Sequence, residues 1–216
     1  MRFFKLISIV ALLTPALAQA QLEGVTYNWK EKKNKDGISI STSSVEGSAF
    51  KAVKGEMTVE ASVASLYALV EDMQACPDWA AMCKESRIEE RISDSETYVY
   101  VYNDIPFPVR DRDVYTHVVW TLDSETGSLS MTSTASEGGT EKTRAVRIEN
   151  AVSQWHFTPL GEGMTKVENF GHIDPNGPTP AWLTNMMLLD APYKSMSNMR
   201  EIVESGGYAD AVLPME

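Results

Sequence analysis

Apolar and polar residues alternate with a period of two along most of this chain, and at two places the period lengthens to that of a helix. GISISTSS (37–44) and KAVKGEMTVEA (51–61) read as the first strands. SVASLYALVEDMQ (62–74) follows, with Val63, Leu66, Leu69, Val70 and Met73 at helical spacing and Ser62 placed to cap it. From residue 86 the strand pattern resumes. SRIEERISDSETYVYVYNDIP predicts two strands about the turn Ser93–Glu96, with Tyr98, Tyr100 and Tyr102 on one face and Val99 and Val101 on the other. DRDVYTHVVWTLD is a third run, with Val114, Val118, Trp120 and Leu122 on one side. GSLSMTSTAS, TRAVRIENAVSQWHFTPLG and GMTKVENFGHID continue the series, separated by Gly-rich or polar turns. Short connections between successive strands make an antiparallel sheet. The charged stretch at residues 22–35 reads as a loose lead-in or a short helix.

The last long segment, DPNGPTPAWLTNMMLLDAPYKSMSNMR (174–200), is the most apolar helix outside the N-terminus. Thr179 is placed to cap it and Pro180 suits its first turn, where a missing N–H costs nothing. At 100° per residue, Trp182, Met186, Leu189, Tyr193, Met196 and Val203 share one stripe, and Leu183, Met187 and Leu188 widen it. Pro192 interrupts this helix, at a cost of about 3 kcal/mol in an unrelieved interior, and predicts a bend there. Methionine adapts to varied apolar shapes, so the segment reads as the wall of a cavity, with the leading loop and first half as its gate; ordinary core packing is the alternative.

Composition removes several classes of function. Residues 1–20 have the charged start, apolar run and small-residue ending of a signal peptide, cut between Ala18 and Ala20. A periplasmic or secreted protein is therefore expected. The net charge of −11 argues against nucleic acid, because that affinity rests on neutralising phosphates with Lys and Arg. Cys76 and Cys83 would stand about 10.5 Å apart on one continuous helix, too far to bridge. Pro77 turns the chain between them, so a disulfide is expected, with two buried thiols as the alternative.

Catalytic signatures are missing. There is no nucleophile elbow, phosphate loop or paired Cys-x-x-Cys site, so neither cofactor nor metal is expected. His117, His156 and His172 fall in separate strands, and a three-histidine zinc site is possible only in principle. Arg110, Asp111, Arg112 and Asp113 read either as a polar anchor at a cavity mouth or as an ion-pair network fixing a strand corner.

CPDWAAMCKESRI, PFPVRDRDVY and IDPNGPTPAWLTNMMLLDAPYKSMSNMRE occur in the order and placement of a START domain. The chain resembles an exported single-domain bacterial member of that lipid-transfer family over about residues 45–205. The resemblance implies an α+β helix-grip fold, a curved antiparallel sheet around a long C-terminal helix, with a tunnel for one lipid or sterol-like molecule and no covalent chemistry. The expected organisation is a signal peptide (1–20), a lead-in and first strand (21–44), the lipid-binding domain (45–208) and a tail (209–216). The expected ligand contacts are Trp182, Met186, Met187, Leu189, Tyr193, Met196, Arg112, His117 and Tyr100. The Arg-Asp motif maps to Arg112 and Asp113, and His117 is the one ionisable side chain on the strand where some relatives bury a charge. Partners are expected to be a lipid or other hydrophobic small molecule and, transiently, a membrane, with the chain a monomer. The rival readings are a cyclase- or aromatase-like enzyme and a protein-interaction module.

Overall fold

The alternating segments form ten strands in a single sheet. The computed structural model describes residues 25–138 and 143–214, without the side chains of residues 181 and 182; the expected signal segment lies outside the described residues. The strands are β1 (Lys30–Lys35), β2 (Ile38–Ser44), β3 (Lys51–Val59), β4 (Cys83–Ser93), β5 (Glu96–Asn103), β6 (Arg112–Leu122), β7 (Leu129–Ala135), β8 (Val146–Ile148), β9 (Asn150–Gly161) and β10 (Met164–Asp174). Their order is β1-β2-β3-β10-β9-β7-β6-β5-β4, antiparallel throughout, with the short β8 pairing parallel to the start of β6. The last strand thus sits beside the third, and both edges of the sheet, β1 and β4, are rich in charged residues that discourage further strand addition.

Between β3 and β4 the chain crosses from one half of the sheet to the other through α1 (Val63–Glu71), a 3₁₀ turn (Met73–Ala75) and α2 (Cys76–Trp79). Ser62 caps α1 as expected, its hydroxyl accepting from the Ser65 N–H. The C-terminal segment comprises α3 (Ala181–Asn185), a π-helical stretch (Met186–Asp190) and α4 (Ala191–Glu204). α4 lies on β2 and β3 and touches α1 and α2. Its Met196, Met199 and Val203 join Ile38, Ile40, Met57, Leu66, Trp120 and Phe157 in the core. Each such side chain contributes roughly 1.5–3 kcal/mol by leaving water. The helix approaches the sheet this closely because β3 carries Gly55, where an added Cβ would overlap the Met196 sulfur.

Four expectations change. Residues 30–35 form an edge strand, and the lead-in before them is packed: Tyr27 stacks on Trp29 with ring centroids 5.0 Å apart, and both meet Phe170 edge-on. The run 143–161 divides into β8 and β9, which face different partners. The helix is interrupted upstream of Pro192 rather than at it. Pro192 offers no N–H to Leu188, and the ladder widens before the proline arrives, so that the Ala191 N–H reaches the Met186 carbonyl five residues back. Thr179 lies outside the helix; the Pro180 carbonyl takes the first bonds, from the Leu183 and Thr184 N–H groups.

Candidate ligand-binding site

The inner face of β5, β6 and β7 is lined by β-branched and small side chains, and opposite it lies the α1–α2 crossover. Between them is a pocket of about 190 Å³. Val99 and Val101 of β5, Thr116 and Val118 of β6, and Met131 and Ser133 of β7 form its floor. Val70, Glu71, Met73, Cys76, Trp79 and Ala80 form the cover, with Cys83, Ser86 and Asn103 at the β4–β5 end. The cover is closed by the Cys76–Cys83 disulfide, whose Cα atoms stand 5.9 Å apart. Contrary to the expectation from Pro77, Cys76 is itself helical, and the turn that brings Cys83 back comes after Trp79, where Ala80 is extended and Met82 takes a positive φ of 70°.

Most of the pocket's surface is apolar, and its polar groups are few. Glu71 accepts from the Trp120 indole N–H at 2.8 Å, and Arg91 approaches its other oxygen at 3.5 Å. Ser86 donates to the Met73 carbonyl, and Thr116 to that of Val99. Trp79 stacks edge-on to Trp155, and its buried indole N–H has no acceptor among the described residues.

The expected contact residues lie elsewhere. Tyr100 and His117 belong to the opposite face of β5 and β6 from Val99, Val101, Thr116 and Val118, because successive side chains on a strand point to opposite sides. His117 pairs with Glu96 at 2.7 Å and stacks on Tyr98. Tyr100 is buried under the Arg87 guanidinium and donates to Asp113 at 3.1 Å; burial, then this hydrogen bond, pushes its phenol up to about 12. Arg112 is a fastener: its guanidinium donates to the Pro175 and Asn176 carbonyls at 3.2 and 3.1 Å and to the Arg110 carbonyl, holding the loop before α3 against β6. Within the cluster the arginines thus hold backbone carbonyls rather than carboxylates, and Asp113 pairs with Arg147 outside it.

On the C-terminal helix, Met196 is fully buried in the core, and Leu189 and Tyr193 pack partly against it. Tyr193 turns its hydroxyl to Asp36 at 2.8 Å. Met186 is half-buried in the π stretch. Met187 lines a separate small cavity of about 50 Å³ with Phe50, Val53, Gly171, Ile173 and Leu188. The side chain of Trp182 lies outside the described residues. The three histidines are apart: His156 pairs with Ser130 and His172 with Ser48. Among the described residues no cluster of three His, Cys, Asp or Glu could hold a metal ion.

The pocket's wall was nonetheless partly legible. Val99 and Val101 were visible as the face opposite the tyrosines, and Trp79 lies inside the short Cys-bounded segment. What sequence reasoning missed is the α1–α2 crossover as a pocket wall; the C-terminal segment borders a separate cavity at Met187 and Leu188.

The comparisons agree with this architecture. The family model for the START domain matches residues 15–205. An uncharacterized protein of Pseudomonas aeruginosa is 30% identical over 195 residues, spanning 90% of this chain and 96% of its own. The STAR-related lipid transfer protein of Xanthomonas axonopodis superposes with a TM-score of 0.73 at 26% identity, covering 81% of this chain and 98% of that one. Human StAR-related lipid transfer protein 5 shares the fold, with a TM-score of 0.74 at 18% identity over 82% of this chain and 86% of its own. With its curved ten-stranded sheet closed by a C-terminal helix, the chain belongs to the START domain family.

Proposed function

We propose that this protein binds a lipid or other hydrophobic small molecule non-covalently, in the pocket between β5–β7 and the disulfide-closed cover, and delivers or reports it outside the cytoplasm. The observation that carries the reading is the pocket itself: a largely apolar space behind a cover made of the end of α1, a 3₁₀ turn and the four-residue α2. Family membership and the likeness to a bacterial protein described as a lipid transfer protein support it. Affinity comes from apolar burial, at about 25 cal/mol per Å² before the costs of ordering.

Size sets a condition on the ligand. An engineered cavity of about 150 Å³ holds benzene, so about 190 Å³ accommodates one ring system or part of an acyl chain. A whole lipid requires the cover or the segment before α4 to move. Delivery to a membrane would use the β5–β6 loop, where Phe107, between Pro106 and Pro108, is 95% exposed. The disulfide is compatible with export to an oxidising compartment, and among the described residues no helix is long and apolar enough to cross a membrane. A monomer suffices for this function.

Native mass spectrometry of the protein purified from its own host, followed by solvent extraction, tests the reading. A co-purifying hydrophobe is the expected result. A protein that arrives empty and takes up no environment-sensitive hydrophobic dye would overturn it.

A further inference from the structure

The charges around the pocket set what kind of polar group it accepts. Among the described residues that line it, Glu71 alone is ionisable, and its side chain is only 15% exposed. Arg91, the cation nearest to it, is 44% exposed and does not line the pocket. The cationic or titratable groups that the Arg-Asp motif and His117 offered are committed elsewhere: Arg112 to the loop carbonyls, and His117 to Glu96 on the other side of the sheet. The remaining polar lining is neutral. The Asn103 amide and the Ser133 hydroxyl make no side-chain hydrogen bond within the described residues, so both are available to a ligand.

Resting on the function proposed above, we infer that the pocket selects a ligand whose polar end donates a hydrogen bond and carries no negative charge, an alcohol, amide or ammonium rather than a carboxylate or phosphate. A carboxylate has only acceptors, and in this pocket it would lie near the Glu71 carboxylate with no lining cation to balance it. A hydroxyl offers both a hydrogen for Glu71 or the Asn103 oxygen and lone pairs for the Asn103 amide or Ser133. With its side chain only 15% exposed, the Glu71 carboxylate is screened less than a fully exposed one.

Dye-displacement titration at pH 7 with 1-octanol, octylammonium and octanoate tests this, since the three share one chain and differ at the head. The expected result is that octanoate binds at least about tenfold more weakly than the other two. In Glu71→Gln, which keeps an acceptor for Trp120, that gap should narrow several-fold. Octanoate binding as tightly as octanol, or a gap unaltered by Glu71→Gln, overturns the inference and leaves hydrophobe binding standing. The wild-type ratio decides the matter even if the variant folds poorly. If none of the three displaces the dye or binds by calorimetry, the proposed function fails and this inference with it.

Discussion

The Arg147 guanidinium donates from Nε to the Asp113 carboxylate at 2.7 Å, across a pair in which Asp113 is 1% exposed. The same carboxylate receives the Thr143 hydroxyl at 2.7 Å and that of Tyr100 at 3.1 Å. Four segments are thereby tied at one corner: β5, β6, β8 and the loop before β8.

Burial pushes the Asp113 carboxyl up, but the bonds from Arg147 and Thr143 outweigh it and hold the group below its ordinary value. A carboxyl with a depressed folded-state pKa contributes stability that is fully present above its unfolded value, near 3.9, and is lost as the pH falls through its folded value. Asp113→Asn should cost about 3 kcal/mol at pH 7, because it leaves Arg147 facing a neutral partner. In urea unfolding the difference from wild type should be constant above about pH 5 and shrink below about pH 4. A difference that does not change with acidification would assign the stability to packing instead.

Gly55 and Met196 make a second test of the fold. Any Cβ on Gly55 meets the Met196 sulfur and comes within 3.2 Å of Ile40 Cδ1, in a core where Met196 has no exposed surface into which to retreat. Gly55→Val should destabilise the protein by about 1–3 kcal/mol. The companion change Met196→Ala in the same chain should recover part of that loss, read as the coupling term of a double-mutant cycle.

Strand alternation, the two cysteines and the capped helix at Ser62 were all legible, because each depends on neighbours in sequence. The face of His117 was legible too: Val118 and Trp120 were visible on one side of β6, and parity puts His117 on the other. The role of the C-terminal methionines was not. Whether Met196 fills the core or borders a void depends on Gly55, 141 positions away in the chain, and no periodicity reports that distance. The π stretch was hidden for a related reason. Proline signals that a helical bond is lost, whereas the packing of the surrounding turns decides where the ladder widens to absorb the loss.

The disulfide links stability to the site. Closing an eight-residue loop is worth about 2.5 kcal/mol in the chain-entropy model, so Cys76→Ser with Cys83→Ser should lower stability by about that amount. Because the loop carries Trp79 over the pocket, the double variant should also release a bound dye faster, in stopped flow, than the oxidised protein does. Lost stability with an unaltered release rate would mean that the cover is not the route of exchange.

Phe107 offers a test of membrane delivery that does not touch the pocket. An aromatic ring at a proline-framed loop tip suits the boundary between lipid and water, and the acidic chain should prefer neutral vesicles to anionic ones. Phe107→Glu should reduce co-sedimentation with neutral phosphatidylcholine vesicles several-fold and leave dye affinity in solution unchanged. Equal sedimentation of the two proteins would remove this loop as the contact.

The gate assigned to the C-terminal segment now has a defined boundary. From Asp190 onward the helix is fastened: Lys33 pairs with Asp190 at 3.1 Å, Tyr193 with Asp36 at 2.8 Å, Arg200 donates to the Asp36 carbonyl and Asn198 to that of Asp78. Residues 183–189 have no such side-chain ties to other elements among the described residues; Thr184 bonds only to Pro180, and the loop ahead is held through Arg112. The π stretch Met186–Asp190 therefore lies between a fixed half and a less fixed one, where a wide turn can change to an ordinary helical one at small cost. Pro192→Ala restores an N–H for the Leu188 carbonyl and removes the reason for the wide turn. Exchange of a fluorescent hydrophobe should change several-fold in rate, with equilibrium affinity altered by less than about twofold, because both free and loaded protein gain the same bond. Tying the segment down should have the opposite signature to loosening the cover, so the variant combined with Cys76→Ser and Cys83→Ser separates the two routes. If Pro192→Ala alters neither rate, in the oxidised protein or in the disulfide-free one, the segment is a wall that does not move.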